Sequence, residues 1–487
     1  MHLFLGLDIG TSGVKAILVD EKGRVRSAST APLPLLTPRP GWAEQHPGDW
    51  WAATLKATRA ALRLAKAPAS KVACVGLSGQ MHSSVFLDAK GQVIRPALLW
   101  CDGRTTEQCR EITTRVGESN LRAWACNPAL EGFTLPKVLW LRQHEPRAFA
   151  RLAKVVLAKD YIRYRLTGEL ASEPSDASAT LMYDTAHQRW SAPLLQAVGL
   201  SERLLPDVGG SSEVLGHVTD ASAKAAGLLE GTPVVGGGAD NACGAAGVGL
   251  VTPGEAVASW GTSGTVLAPM AEPKVDPKMR AHTFCHVAPH TWYVMGVMLT
   301  AGGAFAWHRT ELCRELGRKK DANDLLNAEA ARVPIGADGL TFLPYLQGER
   351  TPHRDASARG AFVGLTLAHS RAHLTRAVLE GICFGMRDSV SIIRSLVPSV
   401  SSLLLTGGGA RSIFIRKLQS EVYGLPVVTV NREEGPAYGA ALLAAVGAGA
   451  FPDLAAACRA TLKRRPPYRP KASVHAAYDE AYRRFQA

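Results

Sequence analysis

The residues with the clearest chemical capability are carboxylates at the ends of apolar runs. Asp8 closes the run 3–8 and is followed by Gly10-Thr11-Ser12-Gly13. A tight glycine turn points several backbone N–H groups the same way, which suits phosphate oxygens. A carboxylate beside it would hold Mg2+ directly or through its waters. The ordinary alternative is a hairpin with aspartate as a turn residue. The chain continues as an apolar strand, 14–19, so this is not the helix-entering loop of a P-loop protein. The tetrad recurs as Gly261-Thr262-Ser263-Gly264, between the runs 256–260 and 265–267. Two such turns facing each other across a cleft would grip a triphosphate from both sides. A third glycine turn, Gly407-Gly408-Gly409, leads through Ala410-Arg411-Ser412 into a helix. Backbone without Cβ atoms can lie against a flat base or ribose there.

Asp240, in Gly238-Ala239-Asp240-Asn241, stands where a helix begins. Capping that helix is the common use of such an aspartate. The functional alternative is a base that accepts the proton of an attacking hydroxyl. A helix N-terminus would keep the carboxyl ionised and weakly basic. Phosphoryl transfer tolerates that, because its transition state is loose and orientation outweighs basicity. Gln80, Met81 and His82 follow the run 72–77. Gln80 and His82 can exchange hydrogen bonds with hydroxyls, and Met81 offers a polarizable wall. Trp100, Asp102 and Arg104 end another apolar run. Asp102 and Arg104 either bind hydroxyls or pair with each other and hold their own loop.

Around these residues, apolar strand-like runs (72–77, 85–87, 155–157, 232–235) alternate with helical spacing at 50–66, the mark of an α/β fold with mixed sheets. The repeated strand–turn–strand pattern predicts two domains of related topology, 1–245 and 246–487, the second ending in a helical tail. A helix is predicted near 372–395, and the Ala/Gly/Leu-rich stretch 437–450 predicts a buried helix packed on a sheet. At 487 residues and 46% hydrophobic content, the chain can bury more than one core. No apolar run is long enough for a membrane span, and the N-terminus lacks a signal-peptide pattern. Nine cysteines without a CxxC pair suit reduced thiols and a cytoplasmic location. The net charge of +13 is dispersed, so no nucleic-acid partner is expected. Its densest patch, Lys463-Arg464-Arg465 with Arg469 and Lys471, reads as a solvated tail segment.

The assembled motifs resemble those of the FGGY carbohydrate kinases, in the actin/hexokinase/Hsp70-type ATPase superfamily. Two long patterns carry the likeness: Gly132-Phe133-Thr134-Leu135-Pro136-Lys137-Val138-Leu139-Trp140-Leu141, and Gly360-Ala361-Phe362-Val363-Gly364-Leu365 with Ala377-Val378-Leu379-Glu380-Gly381. The resemblance implies two RNase H-like domains around a central cleft, with ATP and Mg2+ as cofactors. Asp240 resembles the catalytic base and Asn241 a substrate contact. Asp8 resembles the carboxylate near metal and phosphates. Thr262 resembles a phosphate contact, Gly302 lies near the nucleotide, and Gly408, Gly409 and Ser412 resemble the adenosine wall. Within the family the likeness is strongest to kinases of D-xylulose, through Met81-His82, Lys159-Asp160-Tyr161, Ser175-Asp176-Ala177 and Tyr345-Leu346-Gln347-Gly348-Glu349-Arg350-Thr351-Pro352-His353. Glycerol kinases usually carry an Arg-Glu pair where this chain has Met81-His82. Ser83-Ser84 stand where Gly-Ala is familiar, and two hydroxyls there would alter the sugar pocket. Asn127–Glu131 also departs from the Met-rich stretch expected before the first long pattern. The family is often dimeric, which implies a homodimer. Alternatives are a kinase of ribulose, L-xylulose or a sugar alcohol, and an actin-like protein that uses ATP only as a conformational ligand.

Overall fold

The computed structural model describes residues 2–316 and 319–487. Two mixed sheets organise it. In the first, the strands run Val25–Pro32, Gly13–Asp20, Leu3–Ile9, Val72–Gly79, Pro233–Val235, Val214–His217, and Gly238–Ala239 also pairs with Val72–Gly79. The second runs His282–Cys285, Trp292–Met298, Gly264–Met270, Ala256–Trp260, Leu403–Gly407, Val427–Val428. The first sheet makes two successive antiparallel pairings, two parallel ones and a last antiparallel one, and the second makes three antiparallel pairings and then two parallel ones. The two Gly-Thr-Ser-Gly turns therefore join corresponding strands.

The strand Leu3–Ile9 is apolar up to Asp8 near its end because both of its faces are covered. Leu3, Leu5, Leu7 and Ile9 pack with Trp50, Ala53 and Ala57 of the helix Pro47–Ala65. Phe4, on the other face, belongs to the core that holds Ala437, Ala441 and Ala444. Those alanines lie on the helix Pro436–Gly447, which sits directly on Leu3–Ile9 and Val72–Gly79. The approach is close: a Cβ at Gly76 would fall 1.9 Å from the Ala440 carbonyl oxygen. The buried helix predicted from the Ala/Gly/Leu stretch thus lies on the sheet of the other half of the chain. The helix Asp240–Gly247 runs across the expected division at 245/246 and packs on Pro436–Gly447.

The long helix Arg371–Leu396 lies against Gly264–Met270 and Trp292–Met298, with Ser370 as its cap. The basic segment 463–471 differs from a free tail. It is exposed, but Arg464 and Tyr468 bridge to Val430 and Val427, and Arg464 pairs with Glu255. The helix Ala472–Gln486 then buries Tyr478, Tyr482 and Phe485 in the second core, an i, i+4, i+7 stripe. Among the described residues no helix is long and apolar enough to cross a membrane. All nine cysteines are free thiols.

Candidate active site

Strand register brings the two key carboxylates together. On one side of Ser78 the register partner is Asp8, and on the other it is Gly238. Three neighbouring strands therefore end at one edge. Gln80 N–H donates to the Ile9 carbonyl just beyond them (2.9 Å). Asp240, two residues past Gly238, is the first residue of Asp240–Gly247, and Ala239 is that helix's cap residue. Its Oδ1 accepts from Asn241 N–H (2.8 Å) and Asn241 Nδ2 (3.1 Å). Burial pushes the Asp240 carboxyl up to about 7, the Asp8 charge adds to this, and N–H donors from Asn241 and Met81 pull it back. The weakly basic carboxyl expected from a helix N-terminus is therefore not what this setting produces. Desolvation and a neighbouring carboxylate outweigh the dipole. Burial likewise raises Asp8 to about 6, against the Ser78 hydrogen bond and the Lys15 charge.

The residues expected at the sugar divide into two groups. Asn241 Nδ2 lies 3.4 Å from Met81 Sδ, and the Tyr293 hydroxyl is 3.7 Å from the same sulfur. His82 adjoins them with its backbone in the left-handed region (φ 66°). Its carbonyl is held there by Lys137 Nζ (2.9 Å) and Thr134 Oγ1 (3.2 Å). His82 Nδ1 donates to the Ala179 carbonyl (2.6 Å). Burial first, then the charges of Lys137 and Arg350, hold the ring neutral. Its Nε2 is left as an acceptor. Asp240, Asn241, Met81 and His82 thus form one lining.

Gln80, Trp100 and Asp102 are otherwise engaged. Thr11 Oγ1 donates to Gln80 Oε1 and accepts from Trp100 Nε1, both at 2.9 Å. Gln80 Nε2 donates to Gln45, whose own amide reaches the Thr11 carbonyl (2.7 Å). This network holds the first glycine turn. Asp102 takes Arg104 through its backbone N–H, Nε and Nη2 and also accepts from Ala43 N–H (2.6 Å). Of the two roles open to Asp102 and Arg104, the geometry has the loop-holding pair. Ser83 accepts from Trp100 N–H and Ser84 donates to the His82 carbonyl, so both extra hydroxyls serve the loop itself. Asn127 joins the halves, donating to the Thr283 carbonyl (2.7 Å) and meeting His282 Nδ1 (2.9 Å).

A cavity of about 510 Å³ starts at Asp240 and Asn241 and passes Ser259 and Thr265 to Gly407, Gly408, Ala410 and Arg411. Gly409 turns away onto the Trp260 ring, and Ser412 Oγ caps the helix Ile413–Tyr423. Gly10, Thr11, Ser12, Gly261, Thr262 and Ser263 are half-buried or exposed turn residues. Gly302 N–H donates to the Gly261 carbonyl (2.9 Å), which joins the segment 301–303 to the second turn. Among the described residues, Asp8 Oδ1 is buried without a hydrogen-bond partner. One or two carboxylates completed by phosphate oxygens and waters suit Mg2+, so Asp8, with Asp240 beside it, fits that ion. Sequence reasoning missed Tyr293, Lys137, Gln45 and the arginines 416, 432 and 465 that line the cavity's far end. Each reaches the site from a distant segment, and no local pattern announces it.

This geometry can place a hydroxyl against a carboxyl base, with a deep cavity leading away for a nucleotide. Residues 3–247 match the model for the FGGY family of carbohydrate kinases, N-terminal domain, and residues 256–448 that for its C-terminal domain. The chain is 39% identical over 472 residues to the xylulose kinase of Bacillus subtilis, covering 97% of the chain and 93% of that relative. It is 40% identical over 447 residues to the xylulose kinase of Escherichia coli, covering 92% and 90%. The crystal structure of the xylulose kinase from Rhodospirillum rubrum matches it with a TM-score of 0.91 at 31% identity, over 100% of this chain and 98% of that one. With two like sheets, a cleft-edge carboxylate pair and both halves of the family model in order, the chain belongs to the FGGY carbohydrate kinases, ATP-dependent enzymes with the actin-type fold.

Proposed function

We propose that the enzyme phosphorylates D-xylulose at its terminal hydroxyl, giving D-xylulose 5-phosphate. The observation that carries this is the link from Asp240 through Asn241 to Met81, next to a neutral His82 with a free acceptor. The relatives' activity on xylulose supports it. Asp240 is the general base: Asn241 occupies its Oδ1, which leaves Oδ2 for the substrate hydroxyl. A carboxyl near 7 is suited to accept a proton at neutral pH. His82 Nε2 accepts from a second hydroxyl, and Met81 and Tyr293 wall the pocket. Gly10, Thr11 and Ser12 on one side and Gly261, Thr262 and Ser263 on the other hold the phosphates. Among the described residues, the N–H groups of Thr11, Ser12, Thr262 and Ser263 donate to no protein acceptor. Gly408 and Ala410 form the wall for the base. Mg2+ held at Asp8 neutralises phosphate charge when bound. Closure of the halves would exclude water and limit wasteful hydrolysis of ATP.

The test is ADP release with ATP and Mg2+ across a panel of ketoses and pentitols. D-xylulose is expected to give the highest kcat/KM. A ribulose, L-xylulose or a pentitol in first place would refute the assignment of the sugar.

A further inference from the structure

Arg350 is a charged side chain that, among the described residues, has no hydrogen-bond or ion-pair partner for its guanidinium and lies beside Gly132, next to the proposed sugar site. It comes from the C-terminal half, yet its guanidinium lies against the N-terminal half. A Cβ at Gly132 would stand 2.9 Å from Arg350 Nη2 and 2.8 Å from the Trp100 carbonyl oxygen. Only glycine at 132 leaves this space. The backbone N–H of Arg350 donates to Glu349 Oε1 (2.8 Å). Among the described residues, its guanidinium makes no hydrogen bond and no ion pair. The side chain is half-buried, so its five donors are neither spent on the protein nor freely hydrated. Gly132, which the guanidinium abuts, shares the Lys137 ammonium with the His82 carbonyl, so Arg350 stands on the His82 side of the site.

Lys137 is its cationic neighbour, but that ammonium is engaged with the carbonyls of His82 and Gly132 (2.9 and 2.7 Å). Two polar groups on this side are left for a ligand, the acceptor His82 Nε2 and the donor fork of Arg350. A hydroxyl next to a carbonyl matches that pair: the hydroxyl donates to the imidazole and the carbonyl oxygen accepts from the guanidinium. A pentitol has a hydroxyl in place of the carbonyl. Its oxygen is a poorer match to the fork and brings a donor hydrogen that faces a cation.

We infer that Arg350 is a specificity-determining residue of the sugar site, which with His82 reads the hydroxyketone end of a ketose. This rests on the proposed sugar pocket, and its test separates the two.

The experiment compares wild type, Arg350→Gln and Arg350→Lys with D-xylulose and its two reduction products, xylitol and D-arabinitol. Binding is measured by calorimetry without ATP, and kcat/KM by ADP release. Arg350→Gln is expected to weaken D-xylulose binding at least about tenfold, the usual loss for a hydrogen bond to a charged group. Pentitol binding changes far less and KM for ATP stays the same. Arg350→Lys, which keeps the charge, recovers part of the ketose preference. Equal losses for ketose and pentitols would overturn the inference, because they mark a structural role. No loss at all would overturn it too. So would a Glu131→Gln variant with the same ketose-selective loss, since Arg350 would then act as a latch to Glu131 across the cleft. If the ketose preference in binding depends on Arg350 but D-xylulose is not phosphorylated, the inference holds and the D-xylulose kinase reading falls.

Discussion

The turns at 10–13 and 261–264 have the same four residues and join corresponding strands of like sheets, yet their surroundings differ. In the first, Asp8 faces Lys15 in register; in the second, Ser259 holds the Asp8 place but, with the register shifted by one residue, faces Thr265, and Val266 holds the Lys15 place. The first turn is pinned by side chains, Gln80 and Trp100 on the Thr11 hydroxyl and Gln45 on the Thr11 carbonyl. Among the described residues, the second is pinned by backbone hydrogen bonds alone. Ala301 and Gly303 N–H groups meet the Thr262 carbonyl and Gly302 N–H meets that of Gly261, each at 2.9 Å. Gln80 and Trp100 flank the loops of the proposed sugar pocket, so on that reading the first turn is wired to the sugar side. The second is wired only to the segment 301–303. On the proposed reading, a glycine turn supplies N–H groups in both places, while its neighbours decide whether it also serves metal and sugar.

Substitutions and pH dependences break or sharpen this contrast. Asp240→Asn, which removes the proposed base, should lower kcat about 1,000-fold with ATP binding intact, as loss of general-base catalysis does. With the Asp240 carboxyl near 7, wild-type kcat/KM should fall as the pH drops below about 7. Asp8→Asn should cost about 100-fold in kcat and raise the Mg2+ concentration needed, the scale for losing one electrostatic contact at a phosphoryl group. Ser259→Ala, at the matching place in the other turn, should cost less than about tenfold. Equal effects would erase the distinction between the turns.

Gly302→Ala should raise KM for ATP about tenfold and leave that for the sugar unchanged. Its Cβ would lie 2.4 Å from the Gly261 carbonyl oxygen and displace the second turn. Thr11→Val removes two part-buried hydrogen bonds and should destabilise by about 1–2 kcal/mol, read as a lower Tm. Thr262→Val should stay within about 0.5 kcal/mol, since that exposed hydroxyl holds nothing. The smallest effect is on stability against pH. Asp8 and Asp240 sit at about 6 and about 7 in the fold, above the 3.8 of a free aspartate. Between about pH 4 and 7 the folded protein holds protons that the unfolded chain has released. The contribution of these groups therefore falls as pH rises through that window. Thermal scans of the ligand-free protein should show this slope, and Asp240→Asn should flatten it.

Much of the site was legible because its signals are local. The two turns, the glycine run at 407–409, the carboxylate at a strand end and the carboxylate at a helix start are each written within a few consecutive residues. The fold class was legible too, since apolar runs and helical spacing alternate along the chain. What stayed hidden depends on partners far apart in sequence. Gln80 looked like a sugar contact because an amide beside a polar loop can serve a hydroxyl, and nothing nearby names Thr11 as its partner. Asp102 and Arg104 left two readings open, because spacing alone does not say whether a charged pair faces inward. The stretch 437–450 announced a buried helix, but its composition does not say which sheet it covers.

The sequence by itself determined the periodicities, the places where backbone could approach a phosphate, and the types of residue at hand, because these depend on neighbours along the chain. The tertiary structure decided which carboxylates share one edge, that Asp240 is raised rather than depressed, and that Pro436–Gly447 closes the first sheet. These depend on strand register and on desolvation by distant segments, which take effect only when the chain is folded.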